Sequence, residues 1–346
     1  MNTDIHRKIV NPAEVDLESP GRRDYQVRFE HPSIWGNYFV PLTVIVGPQT
    51  EAGQGMVAIG STHGNEYEGP VAIKRILHDI DAETVTGRLV LIPVLNPSAF
   101  AAASRESAED DGNLNRAFPG DANGSITSRF AAFVTEQVFP HVHLVFDLHA
   151  GGECARFALN NSFRSWDDPA QQNRMEKLAR GFGCPFSITF DGEQSTGYLT
   201  GMAESLGKLV FGAELGHGAA VNHEGVAMAM QGLLHAMHVE GIVNTPPPEP
   251  ILTPGEQVLV KAYATDPSFT VLAPWRGHFE PLVALGARVE AGQALAQLHD
   301  FERIDSVPLL LTADNDGYVI SQAWGAEVKQ GQILILLGKE EPWSEN

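Results

Sequence analysis

Cysteine is scarce in this chain. Cys154 and Cys184 are the only two among 346 residues, which does not look like a disulfide framework. No apolar run approaches membrane-spanning length, and the opening Met1-Asn2-Thr3-Asp4-Ile5-His6-Arg7-Lys8 lacks the apolar core of a signal peptide. No membrane partner is expected, and the default reading is a cytoplasmic enzyme. Basic residues are also few. With 23 against 43 acidic ones and a net charge of -20, the chain has little to offer a phosphate backbone, which argues against a nucleic-acid partner. In so acidic a chain, arginines gathered near a candidate site point to an anionic ligand rather than to background. What the chain does have is apolar content of 43% and enough length to bury a large core, as two domains or one with an appendage.

The rest is organised around Gly60-Ser61-Thr62-His63-Gly64-Asn65-Glu66-Tyr67-Glu68-Gly69-Pro70. Apolar residues 57–59 before it read as the end of a buried strand, and residues 71–77 after it repeat at helical spacing, so the segment is a strand-to-helix turn. His63 and Glu66, three apart, fall on one side of such a turn and can share a zinc ion, whose catalytic sites take a third protein ligand and leave a position for water. The spacing alone decides little, because His299 and Glu302 repeat it with no strand-turn-helix context.

The search for a third ligand leads along the chain. Residues 1–37, punctuated by Pro12, Pro20, Gly21 and Pro32, read as an irregular lead-in. Strands are expected over 38–46 and 88–95, and with the helix after Glu66 the latter makes a β-α-β unit of a mostly parallel sheet. Ligand sites in such sheets collect beyond the carboxyl ends of the strands. Residues 96–119 read as almost all loop, carrying Arg105, Asn113, Asn115 and Arg116, and helices are expected over 125–138, 167–182, 195–206 and 223–239. Leu144-Val145-Phe146-Asp147-Leu148-His149-Ala150-Gly151-Gly152 is a central strand ending in a tight turn, which puts His149 at a carboxyl end like His63, with Asp147 on its face. His141 and His143 read as solvated. Residues 208–218 hold one more apolar strand with Glu214 where it leaves the sheet; taken alone, that acid could equally be half of a structural salt bridge.

Thr245-Pro246-Pro247-Pro248-Glu249-Pro250 is a stiff spacer and the best boundary in the chain. Beyond it, residues 277–295 align with 317–334 as an internal repeat of short strands and Gly-Gln turns, the pattern of a small β-sandwich or barrel. The pattern resembles biotinyl and lipoyl carriers, but neither copy has the modified lysine tip, so a structural or lid-forming module is expected.

Together, His63, Glu66 and His149 supply the two-histidine, one-glutamate set of zinc hydrolases, and Glu214 is placed to move a proton between water and a leaving nitrogen. The motifs Gly-Ser-Thr-His63-Gly-Asn-Glu66, Asn113-Leu-Asn115-Arg116, Asp147-Leu-His149 and Glu214-Leu-Gly resemble, in order, the succinylglutamate desuccinylase and aspartoacylase family, related to zinc carboxypeptidases. The resemblance implies one Zn2+ held by His63, Glu66 and His149, Glu214 as general base, Asn115 and Arg116 on the substrate carboxylate, and Arg105 on the scissile carbonyl. It implies an α/β fold with a mixed, mostly parallel sheet flanked by helices and a C-terminal all-β barrel or sandwich-hybrid module. The expected division is a lead-in at 1–37, a zinc-hydrolase domain at 38–245 and a β-module at 246–346.

Ser104-Arg105-Glu106-Ser107 and Tyr67-Glu68-Gly69-Pro70 resemble the branch that deacetylates N2-acetyl-L-2,4-diaminobutanoate in ectoine breakdown. The expected partner is thus a small N-acyl amino acid, with homo-oligomerisation left open. Glu153, Asp191 and Glu193 are candidates by position to meet a substrate ammonium. The rival readings are a desuccinylase or aspartoacylase acting on another N-acyl amino acid, a metallocarboxypeptidase, and a non-catalytic zinc-binding or carrier-like protein.

Overall fold

The computed structural model describes residues 8–32, 34–51, 53–192, 194–262 and 266–344. The first strands are β1 (Lys8–Val10), β2 (Gly21–Glu30), β3 (Asn37–Val46) and β4 (Gly55–Gly60), followed by α1 (Glu68–Asp79), β5 (Arg88–Ile92), α2 (Pro97–Ala102) and α3 (Ile126–Phe133). Next come β6 (Leu144–His149), β7 (Ala155–Phe157), β8 (Asn160–Arg164), α4 (Pro169–Phe182), β9 (Phe186–Phe190), α5 (Leu199–Ser205), β10 (Leu209–Glu214) and α6 (His223–Val239). The strands beyond residue 250 are β11 (Val258–Ala262), β12 (Thr270–Leu272), β13 (Gly277–Pro281), β14 (Arg288–Val289), β15 (Ala294–His299), β16 (Leu309–Thr312), β17 (Gly317–Ala323), β18 (Glu327–Val328) and β19 (Ile333–Glu341).

The fold is mixed α/β around one large sheet, ordered β1-β2-β3-β5-β4-β6-β10-β8-β9-β11-β19-β17-β14. Its centre, β5-β4-β6-β10, is parallel, whereas β3 joins β5 and β8 joins β10 antiparallel. The central strands are largely apolar because both faces are covered, and the polar Asp147, His149 and Glu214 fall toward their carboxyl ends. Met56 and Ala58 of β4 enter a core with Ile73 and Ile76 of α1 and Leu233 of α6, while Val57 and Ile59 enter a second core with Phe130 of α3 and Leu199 of α5. No helix among the described residues is long and apolar enough to cross a membrane.

Two expectations are corrected here. The lead-in is not irregular: β2 pairs with β3 from Gly21–Val46 to Glu30–Asn37. Tyr25, Val27 and Phe29 alternate into the core, a period-two signal masked by the surrounding prolines and glycines. Nor is 96–119 almost all loop. Asn96 accepts the N–H of Ala99 at 3.1 Å and caps α2, with Pro97 supplying the fixed φ of a first helical residue.

The two copies of the C-terminal repeat interleave. β13 of the first pairs with β18 of the second, and β14 of the first with β17 of the second. This part is tied to the main sheet at two places, where β11 pairs in parallel with β9 and where β7 pairs with β17.

His143, expected in solvent, is instead part of the packing. Its Nδ1 accepts the N–H of Gly55 at 3.1 Å, which leaves Nε2–H to donate to Glu240 at 2.8 Å. Glu240 also takes Arg174 of α4, so the end of α6 is fixed to both α4 and the start of β6. Burial opposes ionisation of Glu240, but these hydrogen bonds lower its pKa from 4.5 to about 2. A lowered carboxyl pKa contributes stability above 4.5 that is lost as the pH falls toward 2. Glu240→Gln should therefore cost about 1.5–3 kcal/mol at neutral pH. Urea unfolding followed between pH 2 and 5 should show a shallower acid loss than in the native chain.

Candidate metal centre

The site is built where three parallel strands end. β4 stops at Gly60, and Ser61 takes a left-handed φ of 55°, turning the chain sharply. Two backbone bonds from the end of β5 hold that turn, Leu95 N–H to Gly60 O at 3.0 Å and Asn96 N–H to Ser61 O at 3.1 Å. His63 and Glu66 follow, both 2% exposed, before α1 begins. Across the sheet, β6 ends in His149, and Glu214 stands beside it in register at the end of β10.

The described residues thus bring together the expected set: His63, Glu66 and His149 offer ligand atoms that all lie within 4.8 Å of one another. Glu66 is the middle member. Its Oε1 faces His63 Nδ1 at 2.9 Å and its Oε2 faces His149 Nδ1 at 2.7 Å. The opposite ring nitrogens are anchored, His63 Nε2 on Asn113 Oδ1 at 3.2 Å and His149 Nε2 on Asp147 Oδ2 at 2.8 Å. Asp147 is itself held by Thr62 Oγ1, which donates to its Oδ1 at 2.8 Å. Asn113 Oδ1 and Asp147 Oδ2 each accept from the Nε2–H of their imidazole and so face its Nδ1 toward Glu66, the arrangement in which a second hydrogen bond orients a metal ligand.

The electrostatics match that geometry. Burial lowers the pKa of His63, keeping its ring neutral. Burial opposes the charge on His149, but Asp147 and then Glu66 raise it. Glu66 is buried, yet His149 and then His63 hold its carboxyl well below the usual range. Burial, with the Glu66 charge behind it, pushes Glu214 up to about 8. Glu214 Oε2 is buried without a hydrogen-bond partner. Two imidazoles and a carboxylate, with an acid beside them that has one buried oxygen unsatisfied, are a donor set that fits a divalent cation of zinc's ligand preference.

The remaining expected residues fall as follows. Arg105 reaches the centre, its Nη1 standing 3.2 Å from His63 Nδ1 and 3.3 Å from Glu66 Oε1. Asn115 accepts the Leu199 N–H through Oδ1 at 2.9 Å, and its Nδ2 lies 3.4 Å from His149 Nε2. Arg116 is exposed, stacks 4.3 Å over the Tyr198 ring and donates to the Asn115 carbonyl at 2.6 Å. Of the acids proposed for an ammonium, Glu153 is exposed, Asp191 is paired with Lys261 at 2.6 Å, and Glu193 lies outside the described residues. Asn113, the first residue of the Asn113-Leu-Asn115-Arg116 motif, has a role that no local spacing announces, because its bond to His63 spans 50 positions.

Two imidazoles and a carboxylate at strand ends, with a buried acid beside them, could hold a metal ion in a hydrolase centre, and the comparisons with known proteins place the chain among hydrolases. The catalytic-domain model of the succinylglutamate desuccinylase/aspartoacylase family matches residues 52–239. An N-alpha-acetyl-L-2,4-diaminobutyric acid deacetylase from Halomonas elongata is 31% identical over 336 residues, 94% of each chain. The product-bound structure of the ectoine utilization protein EutE (DoeB) from Ruegeria pomeroyi is 32% identical, with a TM-score of 0.83 over 94% of this chain and 98% of that one. A succinylglutamate desuccinylase/aspartoacylase structure from Rhodobacter sphaeroides is 28% identical, with a TM-score of 0.85 over 95% of this chain and 98% of that one. The chain belongs to the succinylglutamate desuccinylase/aspartoacylase family and is an amide-hydrolysing deacylase.

The turn that carries His63 depends on Gly64 for space. A Cβ there would stand 2.0 Å from the backbone carbon of Ala99, in the helix that packs under the turn. Backbone cannot yield as a side-chain tip can. Gly64→Ala should therefore destabilise the fold by about 1–3 kcal/mol, read as a lowered melting temperature.

Proposed function

We propose that the chain is a zinc-dependent deacetylase that hydrolyses N2-acetyl-L-2,4-diaminobutanoate to acetate and 2,4-diaminobutanoate. The observation that carries this reading is the gathering of His63, Glu66 and His149 within 4.8 Å, with Arg105 and Glu214 beside them. The deacetylase relative at 31% identity and the ectoine utilization neighbour support the choice of substrate. In this reading His63, Glu66 and His149 hold Zn2+, which when bound would lower the pKa of water and polarise a carbonyl.

The chain's own groups do the rest. Arg116 and Asn115 hold the substrate carboxylate, the guanidinium offering a planar fork and the amide a further donor. Arg105 donates to the acyl oxygen as it gains charge; losing such a donor typically costs about 3 kcal/mol of barrier. Glu214 takes a proton from the attacking water and returns it to the leaving nitrogen as the C–N bond breaks. Its raised proton affinity suits both halves of that transfer.

The same reading divides the chain into a lead-in at 1–37, a catalytic domain at 38–245 and a β-module at 246–346 of barrel or sandwich-hybrid type. It places the enzyme in the cytoplasm and allows a homo-oligomer.

Assaying acetyl-diaminobutanoate, succinylglutamate, acetylaspartate and a short peptide side by side tests the substrate. Turnover of the first is expected, and turnover of the peptide alone would end the N-acyl reading. Glu214→Gln should keep its zinc and lose about 10²–10⁴-fold in kcat. His63→Ala should lose the zinc itself, measured by metal analysis, and a chelator should remove activity that added zinc restores.

A further inference from the structure

Glu68 is an acidic side chain with no task in the hydrolysis described above. It opens α1 two residues after Glu66 and is 1% exposed. So complete a burial is costly for a carboxylate unless the group holds something. Its Oε1 accepts the backbone N–H of Asn222 at 3.0 Å, and Asn222 in turn caps α6 by accepting from Glu224 N–H and Gly225 N–H. Oε2 is buried with no hydrogen-bond partner.

Against the carboxylate lies Gly216, two residues after Glu214. A Cβ at that position would stand 1.9 Å from Glu68 Oε1 and 3.1 Å from Asn222 Cβ, so the glycine lets the carboxylate lie where it does, and a methyl there would have to displace it. The far side of the same segment is fixed by backbone bonds, Leu215 N–H to His149 O at 2.9 Å and Gly151 N–H to Gly216 O at 2.8 Å. The stretch that carries Glu214 is therefore held between the turn of His149 and the side chain of Glu68.

We infer that Glu68 is a positioning residue which, given the role of Glu214 as base, seats Gly216 and Asn222 and so sets where Glu214 stands relative to His63 and Glu66. It touches neither substrate nor metal in this account. Its effect passes through the backbone of Leu215 and Gly216.

The test compares Glu68→Ala, Glu68→Gln, Gly216→Ala and the double variant Glu68→Ala/Gly216→Ala. Zinc-loaded protein is assayed on acetyl-diaminobutanoate, zinc content is measured, and melting is followed without substrate. Glu68→Ala should lower kcat about ten- to a hundredfold, as a misplacement of about 1 Å does, with KM and zinc content unchanged. Glu68→Gln keeps the acceptor oxygen and should recover most of that loss. Gly216→Ala should lower kcat alone, yet cost little more in the Glu68→Ala background, where its methyl fills the vacated space, so the two losses do not add in kcat or in melting temperature. Native kcat in Glu68→Ala, a joint loss of zinc, or additive losses would each overturn the inference. The melting cycle needs no substrate, so a native chain inactive on every N-acyl amino acid would overturn the proposed function while the cycle still decides whether Glu68 and Gly216 are coupled.

Discussion

One buried carboxylate sets the arrangement of the centre. Glu66 meets two imidazoles through its two oxygens, and each imidazole is turned to it by a hydrogen bond on its opposite nitrogen. An uncompensated carboxylate at that depth would be costly, so the nitrogens around it and the strands that carry them have to be in place together. Parallel pairing supplies that: β4 and β10 both take their register from β6, so the ends bearing His63, His149 and Glu214 arrive at one edge of the sheet. The backbone ladder fixes the site before any side chain does.

This is why the centre was so legible in the sequence. A strand covered on both faces announces itself as an apolar run, and a histidine or glutamate ending such a run is placed at the carboxyl end by that fact alone. His63, His149 and Glu214 all fell this way. What could not be read were partnerships set by tertiary packing. His143 looked solvated because Gly55 and Glu240, which enclose it, lie 88 and 97 positions away. The strand of Tyr25, Val27 and Phe29 was hidden for a different reason, since the prolines and glycines nearby outweighed a short alternation. Asp191 offered a charge at a suitable position in the chain, but the fold commits it to Lys261.

The second half of the chain illustrates the same limit. The repeat was visible as two aligned segments, and each contributes a run of three short strands. Alignment suggests two copies side by side, but the first strand of each copy pairs with the second of the other. Neither copy completes its own ladder. Sequence similarity reported the duplication and was silent about the exchange.

The junctions between β9 and β11 and between β7 and β17 carry a mechanical consequence. A part joined through one flexible spacer can pivot about it, whereas one sharing main-chain ladders on two sides can rotate only by breaking them. The same seating keeps Trp324, just past β17, against His217 and Gly218, only three and four residues beyond Glu214. A shift in how the C-terminal strands sit would thus be felt within a few residues of the centre rather than being absorbed in a hinge.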